Sequence, residues 1–102
     1  MSYDVWTGDD SFNITSNMRE MLEHYGAYPP SWDGRGVLEV HAEIQNAVRS
    51  ISSTQIRFLQ EWDAPNGWGD WLTTLRWLME VRDSCAKAHM EKGEDAIVGV
   101  FW

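Results

Sequence analysis

Strand-like alternation occurs only towards the two ends of this sequence, and everything between runs at helical period, so the two ends have to meet. Tyr3-Asp4-Val5-Trp6-Thr7 alternates, Gly8-Asp9-Asp10 supplies turn chemistry, and Ser11-Phe12-Asn13-Ile14-Thr15 alternates again with Phe12 and Ile14 on one side. That pattern is a β-hairpin, and an isolated hairpin is marginal in water, so it needs a third strand or a helical cover. Ala96-Ile97-Val98-Gly99-Val100-Phe101-Trp102 is β-branched and aromatic where the preceding residues 90–95 are polar, and it is read as that strand. One sheet is therefore expected from residues near 3–7, 11–15 and 97–101, with helices packed over one face.

Four helices are expected between the strands. Asn17 with Glu20 three residues on resembles a capping box, so the first begins near Met18 and carries Met18, Met21, Leu22 and Tyr25 until Gly26 stops it. The segment from Pro29 to Gly36 has no period and reads as a loop pinned by Trp32 and bent at Asp33-Gly34. Val37, Val40, Ile44, Val48 and Ile51 share one side of a second helix, with His41 at its edge. A third runs from Thr54 to Trp62. The fourth starts at Trp71, capped by Asp70, after a turn in which Asn66-Gly67 bends the chain and Gly69 permits close approach. Its apolar arc is read as Trp71, Leu72, Leu75, Leu78, Met79 and Cys85, continued by Trp68, with Trp77 and Val81 outside the centre.

The fold class is thus α+β, in one compact domain over residues 1–102. A chain of this length buries about two-thirds of its unfolded surface, enough for one core and too little for two. Hydrophobic residues make up 43% of it and seven are tryptophan, which excludes a disordered chain.

Sixteen acidic against eight basic residues leave a net charge of -8, too little Lys and Arg for a nucleic-acid footprint. Such a surface is steered towards basic patches on other proteins. No apolar run approaches the roughly 20 residues that cross a bilayer. The single cysteine excludes an internal disulfide framework, and a cytoplasmic protein is expected.

Signals of catalysis are thin. Cys85 and His89 stand one helical turn apart, which is half of a metal site at most, and no nucleophile, zinc or phosphate-loop motif occurs. The glycine-rich turn before the fourth helix lacks lysine and is flanked by Asp63 and Asp70, so charge opposes a phosphate there. Enzymatic turnover, a metal and a cofactor are not expected.

Two binding surfaces remain as candidates. Trp77, Val81 and Trp102 are read as an exposed apolar patch for a partner, or for a homodimer. Asn13, Thr15, Asn17 and Arg82 are read as a polar pocket for a small nucleotide-like ligand. Arg82 falls within that apolar arc, between Trp71 and Leu75, and a buried guanidinium must find a carboxylate or an anionic ligand. Asp4, Asp33 and Asp63 are the candidate acids.

The segments "YDVWTGDDSFNITSNM", "PNGWGDW" and "RDSC" resemble, in order, small uncharacterised proteins encoded by bacteriophages of actinobacteria. The resemblance implies a context rather than a mechanism. In that context the chain is expected to be an accessory protein that binds a host protein or a component of host defence through a basic or apolar patch on that partner. The alternative is the small-ligand binder.

Overall fold

The hairpin closes in the register that its alternation requires: Val5 faces Phe12, Trp6 faces Ser11 and Tyr3 faces Ile14 across β1 (Ser2–Thr7) and β2 (Asp10–Thr15). The computed structural model describes all residues 1–102 and pairs β3 (Val98–Phe101) antiparallel to the other side of β1, giving the order β2-β1-β3. A single α+β core joins the sheet to four helices: α1 (Arg19–His24), α2 (Val37–Ser52), α3 (Ile56–Leu59) and α4 (Trp71–Lys92). The radius of gyration, 13.2 Å, is that of one domain of this length.

Period-two geometry sends Tyr3, Val5, Thr7, Ile14, Val98 and Val100 to one face of the sheet, where they are buried. α4 packs on that side against β1 and β2, and α2 packs on α4. Small side chains of α4 face the hairpin: the Thr7 and Ser84 hydroxyls are hydrogen-bonded, and Ser84 donates to Asp10 Oδ2 at 3.0 Å. Lys87 reaches Asp10 at 3.6 Å and Lys92 reaches Asp9 at 3.5 Å, which fastens the hairpin tip to the helix. Gly8 makes the tip with φ +63°, 3.5 Å from Ala88 Cβ for an added methyl, so a larger residue is opposed by its backbone conformation.

The other side of β3 is closed by the loop that precedes α2. Val98 exchanges backbone hydrogen bonds with Gly34 and Arg35, and Asp33 Oδ1 accepts from the Val100 N–H at 2.9 Å. Next to this closure Trp32 is fully buried, stacked on Trp77 at 6.0 Å, and its indole N–H donates to Glu43. Arg35 lies 3.3 Å from Glu43 and 3.6 Å from Glu39, so the two glutamates of one α2 face hold the loop rather than a ligand.

Four local expectations are corrected. Helix one is shorter than drawn: Ser16–Met18 form a 3-10 turn whose cap is the Thr15 hydroxyl, accepting from the Asn17 N–H, and α1 follows. Asn17 is no cap; its side chain donates to the Trp68 carbonyl at 3.0 Å and ties this turn to the 63–70 loop. Pro29–Trp32, expected as irregular loop, form a 3-10 turn that the proline pair starts. The third helix breaks into α3 and a 3-10 turn at Gln60–Trp62.

The largest correction is the phase of α4. Its buried residues are Thr74, Trp77, Leu78, Val81, Ser84, Cys85 and Ala88, whereas Leu72 and Met79 are exposed. The helix meets α2 on one flank and the sheet on the other, and the sheet side selects small residues for close packing. A hydropathy wheel gives those residues little weight, so the arc drawn from tryptophans and leucines was rotated off the true interface.

The turn before α4 is explained by packing. Asp70 caps the helix through the Thr73 N–H at 2.7 Å, and Asp63 accepts from the Trp71 N–H at 2.8 Å. Gly69, at φ +132°, lies so near Met18 and Thr15 that a Cβ would sit 2.8 Å from the Met18 sulfur. Trp68 is left exposed.

Candidate functional site

Because the helices cover one face of the sheet, the opposite face is formed wholly by the outward half of the alternation. Ser2, Asp4 and Trp6 of β1 lie between Ser11, Asn13 and Thr15 of β2 and Gly99 and Phe101 of β3. Trp6 is opposite Gly99 and Phe101 is opposite Asp4, so the two aromatic residues are diagonal neighbours, roughly 7–8 Å apart at their backbones in such pairs. Gly99 contributes no side chain between them. Trp6 is 43% exposed and Phe101 66%, large apolar surfaces with no helix above them.

Polar atoms beside the rings have one chemical sense. Asn13 Nδ2 donates to Ser2 Oγ at 2.9 Å and to Asp4 Oδ1 at 2.7 Å, which uses both amide hydrogens. The remaining Asn13 carbonyl oxygen and Asp4 Oδ2 are acceptors, and no lysine or arginine projects from these strands. The face therefore offers two aromatic rings beside unspent acceptors and one carboxylate. It suits the aliphatic stem and charged head of a lysine or arginine, or an apolar side chain flanked by donors.

At the end of the sheet Trp102 is 57% exposed and lines a cleft of about 410 Å3 with Ser2, Tyr3, Arg19 and Tyr28. Tyr3 meets Tyr28 edge-on at 6.1 Å, and the Arg19 guanidinium lies 5.3 Å from the Tyr28 ring centre. Burial, and then the neighbouring Tyr28, pushes the Tyr3 phenol above its ordinary pKa. Tyr3 is thus a neutral, packed wall of the cleft.

Of the residues read from the sequence as a partner patch, only Trp102 is at the surface. Trp77 is 6% exposed and stacks on Trp32, and Val81 is fully buried, so both belong to the core. The four residues read as a ligand pocket are not brought together either. Asn13 is on the outer face, Thr15 caps a turn, Asn17 holds the Trp68 carbonyl, and Arg82 is on α4 beyond the other face of the sheet. Arg82 finds none of Asp4, Asp33 or Asp63; it donates to Gln45 at 3.1 Å and to its exposed neighbour Asp83 at 3.0 Å.

Cys85 is buried, and burial pushes its thiol up to about 12, which makes it a core residue rather than a nucleophile. No group of three or more His, Cys, Asp and Glu side chains is placed to hold a metal ion. Trp6 and Phe101 were missed as site residues, although the signal was present: once Val5 and Val100 are assigned inward, alternation puts both aromatic residues outward. No family model matches the chain, and no curated protein or solved structure matches it. No helix is long and apolar enough to cross a membrane.

Proposed function

We propose that this protein acts by binding another protein on the outer face of its sheet, without catalysis. The observation that carries the proposal is the pairing of exposed Trp6 and Phe101 with the acceptor oxygens of Asp4 and Asn13 on a face that no helix covers. Aromatic residues dominate binding energy at protein interfaces, and a flanking carboxylate selects for donors. The net charge of -8 steers encounter towards a basic patch. With the resemblance to phage proteins, the partner is a host protein or a component of host defence, met in the host cytoplasm.

The test compares capture from host lysate by the native chain and by the double variant Trp6→Thr, Phe101→Thr, followed by titration of the purified partner. The native chain retains a stoichiometric partner whose affinity falls with salt, and the variant, melting like the native chain, loses it. Equal retention by both would refute the outer face as the docking surface.

A further inference from the structure

A second recognition feature lies apart from the sheet and shares no residue with its outer face. His24 and Tyr25 at the end of α1, Phe58 of α3, and Glu61 and Trp62 of the following turn line a cleft of about 600 Å3, with Thr54 on its wall. The His24 ring is 4.8 Å from Tyr25 and 5.0 Å from Trp62, and Tyr25 is 6.4 Å from Trp62. Tyr25 is held in place by its hydroxyl contact with Thr54 at 3.2 Å. The rings are tilted or edge-on to one another, and with Phe58 and Glu61 they border the cleft.

The charge of this corner is one-sided. A second cleft of about 520 Å3 shares Glu61 and Trp62 and adds Glu20 and Asp63. No lysine or arginine lines either cleft, and none of Glu20, Glu61 and Asp63 takes part in an ion pair. The chain itself shows one cation–ring contact at the margin: the Arg57 guanidinium lies 4.7 Å from the Phe58 ring centre. Aromatic walls with a carboxylate favour a cation whose hydration is weak, because ring quadrupoles replace its water shell at little cost.

We infer that the cleft bounded by His24, Tyr25, Phe58, Trp62 and Glu61 binds an alkylated ammonium group. Trp62 and Tyr25 supply the ring faces, Phe58 closes one side, and Glu61 supplies the counter-charge shared with the neighbouring acidic cleft. The group comes from one of two sources, a free quaternary amine or a methylated lysine side chain.

Choline, its uncharged isostere 3,3-dimethylbutan-1-ol, and a short peptide bearing trimethyl-lysine are the probes, read by the indole N–H signal of Trp62 in two-dimensional NMR. Choline gives a saturable shift and the isostere none at equal concentration. Phe58→Leu and Glu61→Gln each weaken choline at least about threefold with the fold intact, both read on the Trp62 signal. Phe58 is 47% exposed and Glu61 lies at the surface, so neither substitution disturbs the core. A peptide bound tenfold more tightly than choline assigns the methyl-lysine source, and equal affinity assigns the free amine. Equal binding of choline and its isostere, an effect unchanged in Phe58→Leu and Glu61→Gln, or no saturation up to about 20 mM overturns the inference.

Discussion

The two faces of the sheet are written by the same three strands and have opposite fates. Tyr3, Val5, Thr7, Val98 and Val100 disappear under α4 and the Trp32 turn, while Asp4, Trp6, Asn13 and Phe101 stay in solvent. Hydropathy does not separate them, since Trp6 and Phe101 are as apolar as anything inside. What separates them is the cover: inner residues sit opposite small groups on α4 such as Ser84 and Ala88, and no element crosses the outer face. An aromatic residue outside therefore stays uncovered, and one inside is structure.

Removing β3 tests that division most severely. A chain truncated after Ala96 loses Val98 and Val100 from the inner face and leaves one side of β1 unpaired. Cooperative thermal unfolding, followed by circular dichroism, should be lost; a truncated chain with a normal melting transition would show that the hairpin and helices suffice.

Trp32→Ala comes next. The residue is fully buried, in a turn packed on β1 and β3, and its loss leaves a cavity beside Trp77 and strips Glu43 of an indole donor. A cost of about 3–5 kcal/mol in denaturant titration is expected, with Trp32→Phe milder.

Cys85, on the helix over the inner face, adds a pH test. Its thiol is pushed up to about 12 from an ordinary value of 9.0, so the folded chain keeps a proton that the unfolded chain releases. That part of the stability is complete below pH 9 and is lost as pH rises from 9 towards 12. The melting temperature of the native chain should fall more steeply across that window than that of Cys85→Ala.

Arg82 sharpens the boundary between inside and outside. Its side chain is 19% exposed and bonded to Gln45 and to the solvated Asp83, so Arg82→Met should cost about 1 kcal/mol or less, measured by denaturation. A loss of several kcal/mol would mean that the charge is structural after all. The smallest effects belong to the outer face: Trp6→Thr and Phe101→Thr should each change stability by roughly 0.5 kcal/mol, since threonine keeps the strand preference.

Much of this division was legible in the sequence. The three strands, α2, the Gly26 stop and the Asp70 cap follow from local chemistry, because alternation, glycine and a side-chain oxygen act over a few residues. The interior of α4 did not, since Thr74, Ser84 and Ala88 are buried by the sheet they meet and nothing in their own chemistry demands it. The same rotation of α4 took Trp77 and Val81 out of the surface and put Arg82 on the flank of the buried arc. The polar pocket failed because Asn13 and Arg82 are separated by the sheet itself. The aromatic corner at Trp62 depends on the end of α1 meeting the turn after α3, a long-range event invisible to any window of residues.

The strand order β2-β1-β3 also has a consequence in time. β1 is the central strand, and its two neighbours reach it on very different schedules: β2 follows within a few residues, whereas Val5 must wait for Val100. At a synthesis rate of about 5–20 residues per second, that wait is roughly 5–20 s, during which one side of β1 has no partner. The hairpin is therefore exposed to chance strand pairing early in the life of every molecule. A chaperone that shields extended segments, or slow emergence of the helical middle, would act on yield without altering the stability of the finished protein.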